Sequence, residues 1–257
     1  MKIAAIQTEI AWEDPEENFR RLTPQLSAAR AGGAALIVLP EMFSTGFSMN
    51  TEAIAEPEDG PSTRFLRTQA ETLGCWVAGS IATLPPGDGM PTNTLWFMGP
   101  DGTSHRYEKL HPFSYAGEHE RYAAGRDRIT IELGGLRITP FVCYDLRFAD
   151  EFWEMAPETD CYVVVANWPA KRSAHWAALL RARAIENLAW VVGVNRVGDG
   201  GGLHYDGHSA ILSPTGETIC EATRQPATLL ADVDPATVEA TRQRFPFLQD
   251  RRARGPS

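Results

Sequence analysis

Short apolar, β-branched runs alternate with helix-like segments from one end of the chain to the other. A series of that kind folds by burying strands beneath helices. Lys2–Thr8 is the first strand-like run. Pro15 to about Ala31 then reads as a helix, with Asp14 as its cap, Pro15 in its first turn and Gly32-Gly33 as its stop. Ala35–Leu39 (ALIVL) has no polar member, which predicts a strand covered on both faces. A helix over 62–73, capped by Ser62 and ended by Gly74, precedes a strand at Cys75–Thr83. Hairpins are expected at Thr92–Met98 with Thr103–Tyr107, and at Ile129–Leu133 with Leu136–Val142, each turning on glycines. Helices near 148–156 and 173–188 flank a strand at Tyr162–Ala166. Trp190–Val197, a hairpin of Ser209–Ser213 with Glu217–Glu221, a strand near Thr228–Val233 and a helix from Pro235 complete the series.

About a dozen strands are more than one covered sheet usually holds, and hairpins mixed with helical crossovers imply mixed pairing. The expected fold class is therefore α/β, a four-layer α-β-β-α sandwich with two mixed β-sheets. No Pro-, Gly- or Ser-rich linker divides the chain, so residues 1–257 read as one domain with a flexible tail from about 249. Hydrophobic residues at 43% supply a packed core, and a net charge of −9 argues against nucleic acid as a partner. The apolar runs are too short to cross a membrane, and Met1-Lys2 leads into a strand without a signal-like segment, so a cytoplasmic protein is expected. Cysteines stand at 75, 143, 161 and 220 with no CxxC pair, which predicts free thiols, buried as small hydrophobes, and no zinc site. His204-x-x-x-His208 falls in a Gly-rich segment that reads as loop, so no metal and no cofactor are expected.

Three positions carry chemical interest. Cys143 ends an apolar strand in ITPFVCYDLR and opens a turn toward a helix, where free backbone N–H groups favour a thiolate and an oxyanion. Such a cysteine can equally be packing. Glu41 follows ALIVLP at what should be a sheet edge, and an ordinary loop acid would sit there too. Lys109 follows a hairpin strand, the usual place for a solvated lysine.

Taken together, LIVLPEMFSTGF around Glu41, YEKLHPF around Lys109 and VCYDLRF around Cys143 resemble the three ordered motifs of the nitrilase superfamily of carbon–nitrogen hydrolases. The resemblance runs from AAIQT near the start to SPTGE and beyond. It implies Glu41 as general base, Lys109 as electrostatic stabiliser and Cys143 as nucleophile. The Tyr144 backbone N–H would help hold the oxyanion. Lys109 would also lower the thiol pKa. It implies a further glutamate in the loop after the lysine, Glu118, with Glu120 as the rival under another alignment. VCYDLRF, HPFSYAGEHERY and VVANWPAKR further resemble the bacterial ω-amidase branch, whose substrates are small ω-amides of 2-oxo dicarboxylic acids such as 2-oxoglutaramate and 2-oxosuccinamate. An anionic substrate needs a cation. Arg147 is the first candidate, with pairing to Asp145 or Asp150 as its structural alternative, and Lys171 and Arg172 follow. Phe43, Phe113, Tyr115 and Trp168 are candidates to wall the pocket. A homodimer or higher homo-oligomer is expected by resemblance, and the alanine-rich helix at 173–188 would pack on the core or on a second subunit. Alternatives are a nitrilase or an amidase for another amide, nitrile or carbamoyl compound, a non-catalytic binding protein on the same fold, and a thiol redox sensor.

Overall fold

The computed structural model describes residues 1–252. Six strands come first, Lys2–Gln7 (β1), Leu36–Val38 (β2), Glu56–Pro57 (β3), Trp76–Leu84 (β4), Thr92–Met98 (β5) and Ser104–Glu108 (β6). Seven follow, Ile131–Leu133 (β7), Leu136–Val142 (β8), Cys161–Ala166 (β9), Trp190–Asn195 (β10), Val197–Gly200 (β11), Leu203–Leu212 (β12) and Thr218–Thr223 (β13). The last strand, Ala227–Asp232 (β14), returns to the first group. Two seven-stranded sheets result, ordered β14-β1-β2-β4-β5-β6 with β3 beside β4, and β11-β12-β10-β9-β8-β7 with β13 beside β12. Both are mixed: β1, β2 and β4 run parallel, as do β8, β9 and β10, while β14, β5, β7 and β12 flank them antiparallel and β3 pairs parallel with β4. The helices are Pro15–Ala31 (α1), Thr51–Ile54 (α2), Pro61–Leu73 (α3), Ala149–Met155 (α4), Ser173–Asn187 (α5) and Pro235–Arg244 (α6).

The layers follow from the two-residue period of the strands. Ala4, Ile6, Ile37, Val77 and Ile81 of the first sheet pack with Leu22 and Leu26 of α1 and Leu66 and Ala70 of α3. Their alternates Ile3, Ala5, Leu36, Val38 and Ala78 join the core shared with the second sheet. The other face of that sheet is covered in part by Trp176, Leu180 and Ala184 of α5, and Gly193 on β10 leaves room for Leu180, which a Cβ there would meet at 2.4 Å. The alanine-rich helix thus packs against the core. Chain order and register together place the C-terminal ends of β2, β6 and β8 near one another, and these are the strands that precede Glu41, Lys109 and Cys143.

Several local expectations need correction. Asp14 caps α1 as expected, its carboxylate accepting from the Glu17 N–H, but Ser62 does not cap α3. Ser62 lies inside the helix and donates its N–H and hydroxyl to Glu56, so a buried carboxylate from β3 takes the capping role. The Gly-rich stretch after Val197 is not a loose connection: β11 and β12 form a hairpin turning at Gly201 and Gly202, both with positive φ. His204 and His208 accordingly sit on a strand, His204 beside Asp199 and His208 beside Glu221 and Asp206, and the described residues contain no cluster able to hold a metal. The tail expected from about 249 falls partly at 253–257, outside the described residues. Up to Arg251 the chain is docked, with a turn at Phe247–Asp250 and the Arg251 guanidinium 4.4 Å from the Trp153 ring. Cys75 and Cys161 are buried free thiols, while Cys220 is only partly buried. No helix among the described residues is long and apolar enough to cross a membrane.

Candidate active site

Glu41, Lys109 and Glu118 meet in the protein interior, each at most 1% exposed. The Lys109 ammonium donates to Glu41 Oε1 at 3.1 Å and to both Glu118 oxygens at 3.0 and 2.8 Å. Glu118 also accepts from the Phe113 N–H, which holds its loop in place. Glu120, the rival, is exposed and among the described residues its carboxylate reaches only His119. Burial by itself would strip the Lys109 proton, but the charges of Glu118 and Glu41 outweigh it and hold the pKa above the usual lysine value. Glu118 is pushed the other way for a carboxylate: burial raises its pKa, Lys109 offsets part of that, and Glu41 adds to it. Two acids share one cation, so an added proton is accommodated within the cluster.

Glu41 is fixed on every side by groups that the sequence pattern did not single out. Asn93 on β5 donates to Oε1 at 2.8 Å, and the Asn167 backbone N–H donates to Oε2 at 2.7 Å. The Asn167 side-chain amide donates to the Glu41 carbonyl at 2.5 Å. Asn93 and Asn167 each keep a buried side-chain oxygen with no partner among the described residues. Nothing in their local sequence distinguishes them from ordinary turn or strand asparagines. Their place follows from β5 lying in the same sheet as β2, and from the end of β9, in the other sheet, meeting β2.

Cys143 closes β8 with φ +47, a left-handed conformation that costs a non-glycine residue energy. No glycine marks this bend. A carboxylate holds it: Asp145 accepts from the Val142 N–H at 3.0 Å, the Tyr107 hydroxyl at 2.7 Å, and the His111 N–H and Nδ1 at 2.9 and 3.1 Å. His111 in turn stacks on Phe148, ring centres 3.6 Å apart. Cys143 opens a five-residue 3-10 turn, Cys143–Arg147, and α4 begins only at Ala149, so the expected help from a helix terminus is slight. Burial first, then the Glu41 charge, hold the Cys143 thiol pKa well above the usual cysteine value despite Lys109. Lys109 does act to lower the thiol pKa, as expected, but burial and the Glu41 charge outweigh it. The resting nucleophile is a neutral thiol beside a carboxylate, which is the arrangement a general base requires.

Cys143 opens on a cavity of about 340 Å³. Arg147, Arg172, Trp168, Phe113, Tyr144 and Tyr205 are among its lining residues. The Arg147 guanidinium lies 4.9 Å from the Trp168 ring and within 3.2 Å of His175 Nδ1, and Arg172 lies 5.4 Å from the Phe113 ring. Asp145 is fully engaged elsewhere and does not pair with Arg147. No carboxylate is among the described lining residues, so this wall is cationic. Trp168 and Phe113 lie where the sequence placed them, but Lys171 is exposed outside the lining. Two wall candidates fail. Phe43 is fully buried behind the site, 6.3 and 6.0 Å from the Phe19 and Phe65 rings, and belongs to the core under α1 and α3. Tyr115 is 87% exposed and touches Phe113 from outside.

The carbon–nitrogen hydrolase family model matches residues 2–243 of this chain. An ω-amidase of Escherichia coli strain K12, YafV, is 41% identical over 253 residues, covering 97% of this chain and 96% of that protein. A 2-oxoglutaramate amidase of Bacillus subtilis strain 168 is 31% identical over 255 residues, covering 96% of each. Among solved structures, XC1258 from Xanthomonas campestris, a superfamily protein with an arsenic adduct in its active site, superimposes with a TM-score of 0.92 at 39% identity, over 100% of this chain and 99% of that one.

Proposed function

The chain belongs to the carbon–nitrogen hydrolase family, and on that premise we propose that it is an ω-amidase that releases ammonia from the ω-amides of 2-oxo dicarboxylic acids. The observation that carries the substrate class is the cavity wall. Arg147 and Arg172 face the space above Cys143 with no lining carboxylate to neutralise them, and guanidiniums are suited to paired recognition of a substrate carboxylate. The unpartnered Asn167 side-chain oxygen, at the same cavity beside Glu41, offers an acceptor for the N–H bonds of an amide, which a nitrile lacks.

The steps follow from the groups present. Glu41 takes the Cys143 proton as sulfur bonds to the amide carbon, so the thiol need not ionise beforehand. The carbonyl electrons move to oxygen, where Lys109 and the Tyr144 N–H stabilise the oxyanion. As the carbon–oxygen double bond re-forms, the carbon–nitrogen bond breaks, Glu41 returns the proton to nitrogen, and ammonia leaves a thioester. Glu41 next takes a proton from water while the oxygen attacks the thioester. The carbon–sulfur bond breaks, and sulfur recovers the proton. Glu118 keeps Lys109 in place and charged through both halves. Asn93 and Asn167 hold Glu41 so that the same oxygen serves thiol, leaving nitrogen and water.

Ammonia release from 2-oxoglutaramate, glutamine and a nitrile tests this reading. The 2-oxo acid amide should give the highest kcat/KM, and a folded Cys143→Ala variant should lose several orders of magnitude in turnover. A preference for the nitrile, or near-wild-type ammonia release by Cys143→Ala, would contradict it. Action in the cytoplasm as a homo-oligomer belongs to the same proposal, and light scattering of the purified protein tests the second part.

A further inference from the structure

Four tyrosines are almost wholly buried, and three of them spend their hydroxyls on the protein. Tyr107 donates to Asp145 at 2.7 Å, Tyr122 to the Ser48 carbonyl at 2.7 Å and Tyr162 to the Phe152 carbonyl at 2.6 Å. Tyr205, 2% exposed on β12, is the exception: its hydroxyl has no hydrogen-bond partner among the described residues, and its side chain lines the cavity above Cys143. Unlike the sealed unpartnered oxygen of Asn93, this hydroxyl opens on the cavity and is free to donate to what occupies it.

The surroundings decide what this hydroxyl can pair with. The buried Arg196 guanidinium lies 4.5 Å from the Tyr205 ring centre and is itself pinned, donating to the Ile10 and Asp199 carbonyls at 3.0 and 2.8 Å. A cation over the ring draws electron density from the phenol oxygen, which makes the hydroxyl a better donor and a poorer acceptor. Burial keeps the group protonated, its pKa pushed up to about 12 in spite of Arg196. Tyr205 lines the same cavity as Cys143, Arg147 and Arg172, so it shares one space with the reacting centre and the cationic wall.

We propose that the Tyr205 hydroxyl donates a hydrogen bond to the 2-oxo oxygen of the substrate, and that this donor, backed by Arg196, selects 2-oxo acids over compounds without an acceptor at that carbon. The proposal rests on the ω-amidase reading. With the amide carbon at Cys143 and the carboxylate at the arginines, the 2-oxo group of a five-carbon chain lies next to the carboxylate, within the cavity that Tyr205 lines. A carbonyl accepts this bond. An ammonium at the same carbon has no lone pair to offer and would add a positive charge beside Arg147 and Arg172.

Tyr205→Phe removes the hydroxyl and keeps the ring over Arg196, so the fold is preserved, which a thermal melt checks. The experiment measures kcat/KM for 2-oxoglutaramate and for glutaramate, which has the same amide and carboxylate but a methylene in place of the 2-oxo carbon. The expected result is a preference for the 2-oxo compound that falls about tenfold or more in the variant, the size of one buried hydrogen bond. An equal loss on both amides would show that the hydroxyl serves the carboxylate, the oxyanion or the fold, and would overturn the proposal, as would no loss on either. Wild-type protein inert toward both amides would instead overturn the ω-amidase reading and the role of Tyr205 with it, and that failure is visible before any variant is made.

Discussion

The floor and the wall of the cavity are built in opposite ways. On the floor, Glu41, Lys109 and Glu118 are sealed from solvent, and their charges are answered by one another and by Asn93, Asn167 and the Phe113 N–H. On the wall, Arg147 and Arg172 lie over aromatic rings at 4.9 and 5.4 Å, and Tyr205 offers a hydroxyl that no described protein group uses. The floor thus has the hydrogen bonds of its charged groups made before any substrate arrives, while the wall keeps donors in reserve. Preorganised groups stabilise charge that develops during reaction, and reserved donors contribute to binding what arrives. The two regions should therefore fail differently when altered.

The largest effect belongs to the floor. Glu41→Gln keeps the shape and the bond from Asn93 but removes the base, so kcat/KM should fall about a thousandfold or more. Because the Glu41 charge is one cause of the raised Cys143 pKa, the thiol should titrate at lower pH in the same variant, read by thiolate absorbance against pH. A thiol pKa that stays or rises would break the account of the floor. On the wall, Arg172→Ala should raise KM for 2-oxoglutaramate by roughly ten- to fiftyfold, one charge-assisted contact, and change kcat far less. An equal drop in kcat would erase the distinction between wall and floor. The smallest effect is expected just outside. Tyr115→Ala at an 87% exposed position should change melting stability by less than about 0.5 kcal/mol and leave the kinetic constants within twofold. A marked rise in KM would extend the wall beyond the lining residues.

Much of this was readable along the chain, and particular residues show why the rest was not. ALIVL, the Gly32-Gly33 stop and the hairpin glycines act through neighbours in sequence, and the strands and helices they mark lie close to where the pattern put them. Phe43 and Tyr115 show the limit. Both are aromatics near motif residues, yet one is sealed against Phe19 and Phe65 and the other faces solvent. Sequence position carries no information about which face of a loop is covered. The Ser62 cap fails for a related reason, since Glu56 reaches the helix start through a strand pairing and leaves Ser62 inside the first turn. The bend at Cys143 has no glycine to betray it, because its support comes from Asp145, Tyr107 and His111 gathered around one carboxylate.

By itself, then, the sequence determined the alternation of elements, the two-sheet architecture and the family, through local patterns and three ordered motifs. Only the tertiary structure decided that Glu118 rather than Glu120 meets Lys109, that Asn93 and Asn167 hold Glu41, and that the thiol is neutral at rest. Hydrogen-bond partners and burial are properties of distance in space. Here they join residues 52 positions apart within one sheet and 126 positions apart between the two sheets, and no local pattern encodes either meeting.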